Sequence, residues 1–290
     1  GYLLIVIPPS PDAPHMVDGQ YRGRGDTTNY VMGDAEVRRI QAQRRTARPD
    51  IGQDLQRAID RDPTPTDKRN HAHLFVVARP VVPTDPTMLQ RRLGRKWQNW
   101  LHEKIIQQRA IGRYGPDLPG ISRVVRRPAG WALVSHGIGA MREVVEDYRE
   151  ANLIELEVDE DGALRLFCGR ASDSPLGDGT RWAIEPLMPG LTWRVLHLAA
   201  TIADEASYLG NWDLGVALTN ARGIASHELG QRTFRSAAIP YAEDEYRAAT
   251  QATYAELAGN RYAVLERLLG RLNRALNDDV LPLPDFDEEG

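Results

Sequence analysis

The chain has 290 residues, with 36 Lys+Arg, 40 Asp+Glu, a formal net charge of −4 and 42% hydrophobic residues. That length can bury a sizeable core in one large or two modest domains, and no apolar run approaches the roughly 20 residues that span a bilayer. The one cysteine, Cys168, excludes an intramolecular disulfide and the common cysteine-rich zinc sites, so a cytoplasmic bacterial protein with no membrane partner is expected.

Charge is unevenly placed. Residues 1 to 127 hold 22 Lys+Arg against 13 Asp+Glu, and the remainder holds 14 against 27. A basic half can track phosphates and an acidic half cannot, so a nucleic-acid face belongs in the first half. Only Lys68, Lys96 and Lys104 are lysines. This fits a GC-rich genome choosing arginine codons, so arginine abundance alone says little about phosphate binding.

The first predicted element is a strand over Tyr2 to Ile7, where Leu3, Leu4, Ile5, Val6 and Ile7 form the continuous apolar run of a strand covered on both faces. Its neighbours are expected from a homodimer partner, an upstream segment or the later domain. Asp18-Gly19 marks a tight turn into Gln20 to Arg24, a β-hairpin arm. Asp34 caps a helix that has Glu36 in its first turn, runs to about Ala47 and stops before Pro49. Ile51 to Ile59 forms a short polar helix. Residues 61–70, with Pro63, Pro65 and no apolar residue, read as a linker. The expected division is therefore 1–60, a linker over 61–70, a domain over 71–277 and an acidic tail over 278–290.

The strand, Pro8-Pro9-Ser10-Pro11, the stretch Tyr21-Arg22-Gly23-Arg24-Gly25-Asp26-Thr27-Thr28-Asn29 and the helix start Asp34-Ala35-Glu36-Val37-Arg38-Arg39 occur in an order that resembles the C-terminal third of the Schlafen AlbA-type DNA-binding domain. That domain is common in actinobacterial proteins. The resemblance covers residues 2–45 and implies DNA binding. In Schlafen nucleases the catalytic carboxylates sit earlier in the domain, in an acidic segment with a nearby Lys, so the resemblance does not extend to nuclease activity.

Beyond the linker, His73 to Ala78 is a strand. Thr87 to Arg109 is a long amphipathic helix with Leu89, Leu93, Trp97, Trp100, Leu101 and Ile105 on one stripe and Arg91, Arg95, Gln98 and His102 on the other. Val124 to Arg127 and Trp131 to Ser135 form a hairpin, and Ile154 to Val158 and Ala163 to Cys168 another. A buried helix is expected over Leu191 to Ala206, strands over Trp212 to Thr219 and Phe234 to Ile239, and helices over Ala242 to Leu257 and Arg261 to Leu276. This order predicts an α+β fold, a mainly antiparallel sheet packed by helices, preceded by a small strand-hairpin-helix segment.

Arg22 and Arg24 sit between glycines that let a backbone approach closely, and arginine forks bind phosphate oxygens bidentately. With Arg38, Arg39, Arg91 and Arg95 they are the candidate nucleic-acid contacts. Trp97 and Trp100 could stack on bases, but their spacing on the apolar stripe favours core packing. His71 and His73 have a spacing that metals use with no third ligand nearby, and Glu155, Glu157 and Asp159 read as the charged outer face of a hairpin. Gly137-Ile138-Gly139 after a strand departs from a dinucleotide fingerprint, because Arg142 stands where the third glycine belongs. No P-loop occurs, and neither cofactor nor metal is expected. The expected function is a nucleic-acid-associated regulatory or defence protein, preferring DNA to RNA and non-enzymatic, with a sensing or oligomerisation domain. The alternative is an enzyme or small-ligand-binding protein with its site in the C-terminal domain.

Overall fold

The computed structural model describes residues 15–25, 28–47, 50–81, 88–106, 115–118, 121, 123–145, 148–174, 180–227, 239–277 and 281–282. The strands expected over Tyr2 to Ile7 and over Phe234 to Ile239 fall outside these residues, apart from Ile239 itself. Contacts divide the chain into two units, Gly1–Asp50 and Ile51–Gly290.

In the first unit, β1 (Met16–Val17) turns into β2 (Gln20–Arg24), and β3 (Asn29–Val31) pairs along the other side, both antiparallel. Asp18 and Gly19 have φ of 51° and 73°, the two positive values of a type I′ turn, for which Asp-Gly is a favoured pair. The helix α1 (Asp34–Ala47) begins with Asp34 and Glu36 in its first turn, where carboxylates meet the positive end of the helix dipole.

The second unit opens with α2 (Ile51–Asp60). Its Leu55 and Ala58 join a core with Phe75, Val77, Phe167 and Ala217, and full burial of a Leu contributes roughly 1.5–3 kcal/mol. The division therefore falls at Asp50/Ile51 instead of over residues 61–70. Those residues carry no apolar side chain, yet they are tied down by polar contacts: Thr64 is buried, its amide donates to Asp62 Oδ1, and Arg69 Nε donates to its carbonyl.

The next elements are β4 (His73–Pro80), α3 (Met88–Leu93), a 3₁₀ turn over Gly94–Lys96 and α4 (Trp97–Ile106). The single helix expected over Thr87 to Arg109 is thus broken at Gly94, whose φ of +64° is a left-handed conformation that ends helices and that glycine adopts without strain. Trp97, Leu101 and Ile105 are buried in the core, with Trp100 packed against it, so these tryptophans are core aromatics. The chain continues through β5 (Arg123–Arg127), β6 (Gly130–Val134), β7 (Ile154–Asp159), β8 (Leu164–Cys168), β9 (Ser172–Asp173), β10 (Arg181–Ala183), α5 (Leu187–Ala206), β11 (Asn211–Thr219), β12 (Ile224–Ser226), β13 (Tyr246–Thr253), α6 (Tyr254–Gly259) and α7 (Arg261–Asn277).

Seven strands form one antiparallel sheet in the order β13-β11-β4-β8-β7-β6-β5, and helices pack on it: the fold is α+β. Strands β9, β10 and β12 make a small second sheet. Alternation along the strands gives the large sheet two different faces. Leu74, Val76, Leu156, Leu166, Leu214 and Val216 point to one, against Leu191, Val195 and Ile202 of α5 and Leu265 and Leu268 of α7. Cys168 is wholly buried in this layer, and burial pushes its thiol up to about 12. The other face receives α2.

The stretch Ala242 to Leu257 is not one helix. Tyr246–Thr253 pairs with β11 from Leu218↔Tyr246 to Asn211↔Thr253, and Tyr246, Ala248 and Ala252 alternate with the exposed Arg247, Ala249 and Gln251. Sheet pairing overrides alanine's helix preference here, as tertiary context commonly does. The real helix start is a capping box in which Thr253 Oγ1 accepts from the Glu256 amide and Glu256 Oε2 accepts from the Thr253 amide.

Candidate functional site

Side chains on β2 alternate. Tyr21 and Gly23 take one face of the hairpin and Gln20, Arg22 and Arg24 the other. Gly23 leaves room for the Tyr30 side chain: a Cβ would lie 2.6 Å from the ring of Tyr30, its cross-strand partner, and would push that ring aside. The Tyr30 hydroxyl donates to Glu36 Oε1 at 2.7 Å, which ties the hairpin to α1. The opposite face carries Arg22 and Arg24, both exposed, with Val31 and Asn29 directly across from them and Val17 beside Gln20. No acid occupies a strand position on that face, and neither arginine has an ion-pair partner among the described residues. Arg38 and Arg39 do: Arg38 Nη2 lies 2.8 Å from Asp34 Oδ2, and Arg39 Nη2 lies 4.0 Å from Glu36 Oε1. Arg91 is exposed on α3 in the second unit. The side chain of Arg95 lies outside the described residues; Arg91 belongs to α3, before the break at Gly94, and Arg95 to the 3₁₀ turn, so neither is on α4 with Gln98 and His102.

The second charged region is the α2 face of the large sheet. Glu155, Glu157 and Asp159 were expected to face water, and all three are buried. The default of a polar outer strand face fails because distant arginines come over it. Arg127 donates from Nη2 to Glu155 Oε1 at 2.6 Å and Arg142 from Nε to Glu155 Oε2 at 2.5 Å. The Gly137 to Arg142 stretch is therefore no dinucleotide loop. Ile138 bridges Val144, and the loop delivers the Arg142 guanidinium to a buried carboxylate. On the same face Arg79 bridges Asp54 and Asp213.

Pairing thins toward α2. Arg61 Nη1 reaches Glu157 Oε2 at 3.2 Å, and Arg165 Nη1 lies 2.7 Å from Asp159 Oδ2 and 3.8 Å from Glu157 Oε1. Asp159 Oδ1 and Glu157 Oε2 are buried without a hydrogen bond among the described residues. Burial is the largest influence on Asp159, and it raises the carboxyl above its ordinary 3.8 against the opposing pull of Arg165. A groove of about 450 Å³ opens over these residues, lined also by Ala58, Pro128 and Ala129.

A third cluster centres on His73. Its Nδ1 lies 2.7 Å from Asp62 Oδ2 and its Nε2 2.6 Å from Glu150 Oε1, with the Phe167 ring edge-on at 5.4 Å. Burial disfavours the imidazolium, but the hydrogen bonds to the two carboxylates outweigh it and raise His73 above 6.5. Glu150 also accepts from the amides of Asn70 and His71. With both ring nitrogens engaged, His73 is a buried structural clamp. His71 lies before the strand, and no group of three metal-ligating side chains occurs among the described residues. The sequence missed this cluster, because Asp62 and Glu150 lie far from His73 along the chain or in a segment read as linker. The signal that was present was a histidine opening an otherwise apolar strand, with Asp62 eleven residues before it.

No family model, curated protein or solved structure matches this chain.

Proposed function

We propose that this chain is a nucleic-acid-associated regulatory or defence protein that grips backbone phosphates through the β1–β3 arm, in keeping with the resemblance of residues 2–45 to the Schlafen AlbA-type domain. The observation that carries the reading is the acid-free face of β2, where Arg22 and Arg24 stand exposed two residues apart. Arginines on one strand face, about 7 Å apart, can each engage a phosphate as a bidentate fork. Such contacts position a nucleic acid without reading its sequence. No helix among the described residues is long and apolar enough to cross a membrane, and the proposed partner is DNA before RNA.

The test is fluorescence anisotropy of a labelled duplex and a labelled single-stranded RNA, titrated with salt. The expected result is binding at low ionic strength whose log K falls with log salt by about 0.9 for each duplex phosphate contacted. Changing Arg22 and Arg24 together to Ala should reduce that slope by roughly 2 contacts' worth. Binding that ignores salt, or a slope the double variant leaves unchanged, overturns the reading. The groove under α2 favours a second reading, a small-ligand-binding role for the second unit.

A further inference from the structure

We propose that the groove between α2 and the β7–β8 face binds a small organic cation, an alkylammonium or alkylguanidinium, with Asp159 and Glu157 accepting its N–H donors. The inference does not rest on nucleic-acid binding, since every residue involved belongs to the second unit.

Three observations carry it. The Asp159 side chain is 8% exposed and has one oxygen held by Arg165, while the other has no hydrogen bond among the described residues. A buried acceptor left unmade is costly, and Asp159 is among the residues that line a groove of about 450 Å³, within the range of small-molecule sites. Next, Arg61 reaches Glu157 Oε2 from the rim with its own side chain 42% exposed. A guanidinium approaching from solvent can therefore reach the carboxylates, and Arg61 acts as a loose internal stand-in. Finally, the walls combine the small apolar residues Ala58, Pro128 and Ala129 with four carboxylates against three guanidinium groups. An alkyl stem fits the first feature and one positive head balances the second. Metal chemistry fits poorly, because Arg165 stands between Glu157 and Asp159 where a cation of higher charge would sit.

The test is isothermal titration calorimetry of the full chain with agmatine, putrescine and inorganic phosphate. Agmatine should bind through its guanidinium, and putrescine should bind if an ammonium suffices. Asp159→Asn should weaken binding by about tenfold or more, the loss of a charge-assisted hydrogen bond. Arg61→Ala, at a half-exposed rim position, should tighten binding several-fold by freeing Glu157. These opposite signs keep the proposal falsifiable even if Asp159→Asn unfolds the chain. Absence of heat from both amines, equal affinity in Asp159→Asn that remains folded, no gain in Arg61→Ala, or binding of phosphate instead of the amines would each overturn it.

Discussion

The β2 face of the first unit and the α2 face of the second use the same side chain for opposite ends. Arg22 and Arg24 meet no described acid, whereas Arg127 and Arg142 converge on Glu155 in the interior. The difference lies in whether the fold brings an acid to the arginine. Opposite Arg22 and Arg24 are Val31 and Asn29, so the guanidinium charge stays in water and available. On β7, buried Glu155 takes the charge of both arginines, and neither side can leave without stranding the other. Arginine count therefore says little about function, and the acids that the fold brings to each arginine say much.

The sharpest way to break the comparison is truncation. A chain starting at Ile51 should keep the cooperative thermal transition of the second unit. One starting at His71 should lose it, because removing α2 uncovers Phe75, Val77 and Phe167 and takes Asp54 from Arg79. Calorimetry of both fragments decides where the unit begins, and a folded 71–290 fragment would restore the boundary drawn from the prolines.

Glu155→Ala should cost about 3–5 kcal/mol in urea unfolding, the usual result of stranding buried charges, with Arg127 and Arg142 both left without their acid. A loss below about 1 kcal/mol would mean that the sheet face is as wet as a surface ion pair.

His73 gives a smaller effect with a sign. Its pKa is raised on folding, so its stabilisation is full below the unfolded value of 6.5 and is lost as pH rises through the folded value. Stability of the wild type should decline above neutral pH relative to His73→Asn, which loses about 1–3 kcal/mol at pH 6 and lacks that dependence. Denaturant midpoints from pH 6 to 9 measure it. Glu150 runs the other way: its pKa is lowered, so its stabilisation is present above 4.5 and fades as pH falls through the folded value. The smallest expected effect is on the arm, where Arg22→Ala with Arg24→Ala should leave the melting temperature unchanged while weakening nucleic-acid binding.

Periodicity made most of the sheet legible. The strands at His73, Val124, Trp131, Ile154, Leu164 and Trp212 all appear near their expected places, as do the helix from Arg261 and the Asp18-Gly19 turn. What periodicity cannot tell is which of two alternating faces meets solvent. Glu155, Glu157 and Asp159 alternate as an outer face does, and only arginines brought from Arg61, Arg127, Arg142 and Arg165 make burial affordable. Tyr246–Thr253 misled for another reason, since alanine favours a helix locally while β11 offers backbone partners that no local window contains. The candidate residues on the arm were visible in sequence; the groove and the His73 clamp were not, being assembled from segments far apart in the chain.

Cys168 gives the molecule a clock. A thiol reacts as its thiolate, and one wholly inside the sheet's helix-covered layer and pushed up to about 12 is doubly withheld from an alkylating reagent. Its labelling must wait for that layer to part. With Cys168 the single thiol in the sequence, the slow incorporation of one label per chain counts openings of the sheet directly, whatever binds at the arm or in the groove.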